Sequence, residues 1–205
     1  MKNYYIADCH FGHTNVIRFD GRPFDSIEEM EEILVMNWNA VVRPEDIVYI
    51  VGDFCWGKAD EWLRIVRRLK GRKVLVKGNH DLSQYPAELK REFADIKDYL
   101  EVNDMGTDGR NRKVILSHYP IMFYKHSNNS WYYMLFGHVH MTAENDQLEL
   151  WRAELRAAAE KGIADYANQG QLYNVGCMMP YMNYMPRTLE QIIRGAEECS
   201  NKGSK

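Results

Sequence analysis

No apolar run in this chain is long enough to cross a bilayer, which sets aside a membrane-embedded reading. A strong charge of either sign is also missing, since Lys and Arg total 26 against 29 Asp and Glu. That balance excludes the global basic field with which sequence-indifferent nucleic-acid binders grip a backbone, although local basic patches stay open. Cysteine is scarce, and Cys9, Cys55, Cys177 and Cys199 show no CxxC spacing. With no secretory leader pattern ahead of them, a reduced cytoplasmic setting is expected rather than a disulfide scaffold. Internal repeats and low-complexity tracts are absent as well. The 205 residues, 45% of them hydrophobic, suit a single domain with one sizeable core.

Against that background one pattern recurs. Val74-Leu75-Val76-Lys77 reads as a buried strand and stops abruptly at Gly78-Asn79-His80-Asp81, residues suited to a tight turn and to metal or proton chemistry. Tyr4-Tyr5-Ile6-Ala7 likewise ends in Asp8-Cys9-His10, and Ile47 to Val51 in Gly52-Asp53. Val114 to Ser117 ends in His118, and Tyr133 to Phe136 in Gly137-His138-Val139-His140. Five strands thus deliver His, Asp or Asn to one edge.

The segments between them read mainly as helices. Ser26 with Glu29 is a capping-box signature, after which Ile27, Met30, Ile33, Leu34 and Trp38 recur at helical spacing. Trp62, Ile65, Val66 and Leu69 mark the next helix, with Gly71 at its C-terminal cap. Pro86 to Phe93, Asp146 to Tyr166 and Thr188 to Cys199 read as further helices, and 200–205 as a fraying polar tail. The alternation of strand and helix predicts a parallel α/β sheet. Tyr99 to Val102 and Lys113 to Ser117, joined by Gly106-Thr107-Asp108-Gly109, predict a hairpin in a second, partly antiparallel sheet.

A pair of divalent metals needs several N and O donors from separate segments, with one carboxylate able to bridge. His10, His118, His138 and His140 offer neutral imidazoles, Asp8 and Asp53 hard anionic oxygens, and Asn79 a neutral carbonyl. The ordered set Asp-x-His, Gly-Asp, Gly-Asn-His-Asp, His and Gly-His-x-His resembles the calcineurin-like metallophosphoesterase superfamily from Asp8 to His140, with supporting similarity in Asn174-Val175-Gly176. The run Ile6 to His13, with Arg22-Pro23-Phe24 and Asn37-Trp38-Asn39, is similar to a branch of small bacterial and phage phosphoesterases.

The resemblance implies one metal held by Asp8, His10, Asp53 and His140, a second by Asp53, Asn79, His118 and His138, and His80 as the catalytic histidine. It implies a four-layer α/β/β/α sandwich of two mixed sheets flanked by helices, in a single domain over 1–205 with a helical insertion at about 142–170. The cofactors expected are two divalent ions, manganese first, with iron, zinc, nickel or cobalt accepted by the same ligand set. The activity expected is hydrolysis of a small phosphate ester, diester or monoester, by metal-activated hydroxide. The alternatives are a nuclease, disfavoured by the charge balance, and a non-catalytic metal-binding scaffold. No membrane partner is expected, and the sequence is silent on oligomeric state.

Departures from the family pattern matter too. Gly52-Asp53 continues as Phe54-Cys55-Trp56-Gly57, without the second Asp and the Arg of the protein phosphatase branch, which counts against a phosphoprotein substrate. The stretch from Met141 to Gly170 is longer than the expected link and reads as a lid, an oligomer contact or decoration. His13 is either part of the pocket or a surface residue. Arg22 either binds substrate phosphate or packs on Asp20 and Asp25 in a solvated turn, the turn being preferred. Asp81 is read as a turn former before a functional residue, and the Met/Tyr-rich run 178–185 as packing before a pocket rim.

Overall fold

A computed structural model describes residues 1–162 and 168–203. Eight strands form two four-stranded sheets. In the first, β1 (Asn3–Ile6), β2 (Ile47–Val51), β3 (Arg72–Val76) and β4 (Phe93–Lys97) lie side by side in chain order, all parallel. In the second, β5 (Leu100–Met105) pairs antiparallel with β6 (Asn111–Leu116), and β6, β7 (Tyr132–Phe136) and β8 (Leu172–Asn174) run parallel. The expected hairpin joins β5 to β6. The mixed character belongs to the second sheet alone.

Side-chain alternation shows how the layers stack, because successive residues of a strand face opposite sides. Val114, Leu116, Tyr133, Leu135 and Tyr173 point into the large core shared with Tyr5, Ile6 and Ile50 of the first sheet. Ile115, Met134, Phe136 and Leu172 point the other way, into a smaller cluster where Leu148 and Leu155 pack. Those two leucines lie on α5 (Ala143–Glu160), so the stretch after His140 supplies the covering layer of the second sheet. Trp151 of the same helix is 46% exposed. On the first sheet, α2 (Ile27–Val41) and α3 (Ala59–Val66) bury Met30, Leu34, Trp38, Trp62 and Ile65 in the main core.

Ser26 is the N-cap of α2 as expected, its Oγ accepting from the Glu29 N–H at 3.1 Å, but the Glu29 carboxylate accepts from the Asp25 N–H at 2.6 Å rather than from Ser26, so only half of the capping box forms. Several boundaries differ from the sequence reading. Helix α3 ends at Val66 with Arg67 as its C-cap, so Gly71 stands past the helix end, just before β3. The helix expected from Pro86 to Phe93 is the short α4 (Ala87–Lys90), and Phe93 opens β4. This edge strand buries little besides Phe93, so no apolar run announces it. Helix α5 starts earlier than Asp146, with Thr142 as N-cap, and its expected end at Tyr166 lies outside the described residues. The last helix, α6 (Leu189–Gly203), continues through the expected tail, while 204–205 lie outside the described residues. Met178, Met179 and Met182 are buried, in keeping with a packing role.

The two sheets meet at the C-terminal ends of β1 and β8. There the Ala7 N–H donates to Val175 O at 2.7 Å and the Cys177 N–H to Ala7 O at 2.8 Å. This bridge brings the polar lips of both sheets to one edge.

A candidate metal centre at the sheet edge

Each expected donor sits just past a strand end. Asp8 and His10 follow β1, Asp53 follows β2, and Asn79 and His80 follow β3; His118 follows β6, and His138 and His140 follow β7. Among the described residues eight non-glycines have positive φ, and five of them are expected donors: Asp8 (54°), His10 (50°), Asp53 (50°), His138 (70°) and His140 (48°). Left-handed backbone at such residues costs on the order of 1–3 kcal/mol each and persists where the surroundings enforce it. The loops are therefore bent to aim side chains inward. Beside Asp53 the backbone packs so closely on His118 that a Cβ on Gly52 would fall 2.2 Å from its Nδ1.

The donor atoms converge in two groups. One ligand atom from each of Asp8, His10, Asp53 and His140 lies within 4.8 Å of all the others. Beside them, Asn79 Oδ1 is 2.9 Å from both His118 Nε2 and His138 Nδ1. Asp53 Oδ2 touches both groups, at 3.6 Å from His10 Nε2 and 3.5 Å from His118 Nε2.

Two histidines have their ring orientation fixed from behind. His118 Nδ1 faces Val51 O at 3.0 Å, and His140 Nδ1 faces Asp20 Oδ1 at 2.7 Å. Because a carbonyl and a carboxylate only accept, both Nδ1 atoms donate, and both Nε2 atoms turn toward the cluster. His140 Nε2 and His10 Nε2 then approach to 3.3 Å. Asp8 Oδ2 is buried without a hydrogen-bond partner, although the His138 N–H donates to Asp8 Oδ1 at 3.1 Å. Converging imidazole nitrogens and an orphaned carboxylate oxygen are what a divalent cation satisfies, and the mixed N/O set suits first-row metals.

The electrostatics belong to a site poised for positive charge. Burial raises the Asp8 carboxyl above its ordinary value, and lowers the His10 imidazole to about 3, leaving it a neutral donor. Burial would also raise Asp53, but hydrogen bonding and charge from His118 hold it at about 2. Burial works against a proton on His118, yet Asp53 and Asp8 raise it to about 9. Burial lowers His138, with His118 adding to the effect.

The remaining expected residues fall outside the donor cluster. His80 is exposed at the mouth, its N–H donating to Asp53 Oδ1 at 2.9 Å and its ring 5.7 Å from that of His10. Asp81 accepts from the N–H groups of Asp53 (3.0 Å), Phe54 (2.8 Å) and Gly78 (2.7 Å), tying two ligand loops together. Burial is the main reason its carboxyl rises to about 6. His13 is half-buried beside the cluster, its ring 5.4 Å from that of His10 and stacked on Trp56 at 4.3 Å.

Arg22 is not in a solvated turn. Its side chain is buried, and it donates to Asp20 Oδ2, to Cys9 O (3.0 Å) and to Asp8 O (2.8 Å), bracing the first loop from behind. Asp25 is not among these contacts, and with its guanidinium so committed Arg22 does not face a substrate.

Sequence reasoning missed Asp20, which orients His140 and pairs with Arg22 at 2.8 Å, because nothing in its flanking sequence distinguishes it from a turn residue. Asn174 was noticed only as a motif fragment. Its amide donates to His140 O at 3.0 Å and to Asn145 Oδ1 at 2.9 Å, while its Oδ1 accepts from the Gly176 N–H at 2.9 Å.

Comparison with known proteins bears on the family and the fold. The chain is 45% identical over 82 residues to an uncharacterized protein of Methanocaldococcus jannaschii, a stretch covering 39% of this chain and 47% of the relative. It is 28% identical over 137 residues to the Gene 66 protein of Mycobacterium phage L5, covering 58% of this chain and 64% of that one. The chain thus spans roughly half to two thirds of the length of these curated relatives. A crystal structure of a protein of unknown function from Aquifex aeolicus superimposes with a TM-score of 0.63 at 27% identity, over 94% of this chain and 97% of that one. The family model described as calcineurin-like phosphoesterase matches residues 1–170, which take in every donor from Asp8 to His140. Fold, donor geometry and sequence agree, and the chain belongs to the calcineurin-like phosphoesterase family.

Proposed function

We propose that the protein is a binuclear metal-dependent hydrolase of small phosphate esters, diester or monoester. The reading is carried by Asp53 Oδ2, which reaches both donor groups at 3.6 and 3.5 Å as a bridging carboxylate must. Asp8, His10, Asp53 and His140 would hold one divalent ion, and Asp53, Asn79, His118 and His138 the other, manganese being the first candidate. Such ions make hydroxide available from bound water near neutral pH and offset charge on the phosphoryl oxygens.

The chain's own groups do the rest. The His80 N–H donates to Asp53 Oδ1, which tethers His80 beside the shared carboxylate while its ring stays open to solvent. From there the imidazole is placed to give a proton to the leaving oxygen. Asp20 and Val51 O keep His140 and His118 in the tautomer that presents Nε2. Asp81 and Arg22 hold the backbone of the ligand loops, so the donors need not reorganise when charge develops.

The test is hydrolysis of paired chromogenic monoester and diester substrates by protein stripped of metal and reloaded with manganese. Turnover restored by metal and lost in His80→Ala supports the hydrolase. Bound metal with no turnover under any of the candidate ions would instead favour a scaffold.

A further inference from the structure

The loop that follows Gly52-Asp53 carries an exposed tryptophan, Trp56. Trp56 is 42% exposed, although its surroundings hold it firmly. Its backbone N–H donates to Phe11 O at 2.7 Å, and one ring face is stacked on His13 at 4.3 Å and 13° between planes. The loop can come this close because residue 12 is glycine at φ +78°, where a Cβ would sit 3.2 Å from Trp56 O. His13 in turn meets the edge of Phe19, which is 65% exposed. The Trp56 ring centre is 5.3 Å from that of His80. A large aromatic held rigid at a wet mouth has little reason to stay there for packing, but it loses little conformational freedom when a flat partner stacks on it.

We infer that Trp56 is a specificity-determining platform, and that the substrate is a phosphate ester whose leaving arm carries a flat aromatic or heteroaromatic ring. The inference rests on the phosphoester reading of the site. If His80 serves the leaving oxygen, the organic arm on that oxygen emerges beside His80, against Trp56. Arg22 gives no grip on a second phosphate charge here, because its guanidinium is buried behind Asp8 and Cys9, which leaves the organic arm for Trp56 to read.

Calorimetric titration of manganese-loaded protein with three non-hydrolysable phosphonates tests this directly. Benzylphosphonate carries a flat ring one carbon from phosphorus, cyclohexylmethylphosphonate a puckered ring of similar size, and methylphosphonate no ring. Benzylphosphonate should bind about tenfold more tightly than methylphosphonate, in the range that stacking on an aromatic provides, and more tightly than the cyclohexyl compound. The benzyl-to-methyl ratio should fall to about one in Trp56→Leu, which keeps apolar bulk without a flat face, and largely survive in Trp56→Phe. Equal affinities in the wild type, no binding of any of the three, parity of the cyclohexyl compound, or an aromatic preference that persists in Trp56→Leu would each overturn the platform. Ring-selective binding without turnover of any ester would sink the hydrolase reading alone, and turnover indifferent to the ring would sink the platform alone.

Discussion

Replacing Asp20 by Asn removes one charge while keeping the shape of the side chain, and its effects on two neighbours can be separated. Oδ1 accepts from His140 Nδ1 at 2.7 Å, and Oδ2 pairs with the Arg22 guanidinium at 2.8 Å, with 8% and 0% of the two side chains exposed. An Asn oxygen can keep one of these bonds, but its NH2 group then confronts a donor on the other side. Breaking a buried ion pair costs about 3–5 kcal/mol when the surviving charge has nothing else. Arg22 retains the carbonyls of Asp8 and Cys9, so we expect a loss nearer to about 2 kcal/mol in the metal-free protein. With a urea m-value of about 2 kcal/mol per molar, the unfolding midpoint should fall by about 1 M. Loss of the group that orients a ligating histidine typically weakens metal binding 10–100-fold, so one manganese site should weaken by about that factor in a calorimetric titration. A variant with wild-type midpoint and manganese affinity within twofold of wild type would refute both the bracing role of the Asp20–Arg22 pair and the orientation of His140.

Four further outcomes are expected. Asp81→Ala strands three backbone N–H groups and should lower stability by about 3 kcal/mol or more, read as a drop in urea midpoint, whereas Asp81→Asn should recover part of it. Gly52→Ala should abolish metal binding or folding, because its Cβ would overlap His118 Nδ1 at 2.2 Å; a folded variant that still binds manganese would contradict the geometry. Chelation should lower the melting temperature, since removing ligand present at about 100 times its Kd forfeits about 2.7 kcal/mol, and readdition of manganese should restore it. In the metal-free protein His118 is raised to about 9 against an ordinary 6.5, so the stabilisation it gives is complete below pH 6.5 and is lost as pH rises through 9. The urea midpoint should therefore fall from pH 6.5 to 9.5, by up to about 3 kcal/mol in stability terms, and His118→Asn should flatten that dependence.

The donors were legible because each follows a short apolar strand and all but His118 stand within two residues of a Gly, Asp or His; a strand that ends in ligands writes both facts in adjacent letters. The Ser26 N-cap of α2 was legible for the same reason, its signal lying within four residues. Edge strand β4 was not, because Phe93-Ala94-Asp95-Ile96-Lys97 exposes most of its side chains and lacks an apolar run. Arg22 was placed in a solvated turn because proximity to Asp20 and Asp25 is all that sequence records, whereas its burial comes from carbonyls of the Asp8 loop.

By itself the sequence determined most of the segments that become strands and helices, the edge strand β4 excepted, and which side chains can offer N or O donors, because those depend on local periodicity and residue chemistry. Tertiary structure alone decided that Asp53 reaches both donor groups, that Asp20 stands behind His140, that α5 covers the second sheet, and that Trp56 stands beside His80. Each of those relations joins residues from different loops or layers. The parallel strands of the two sheets, and the bridge between β1 and β8, bring them together, and spacing along a chain does not encode distances between loops brought together in that way.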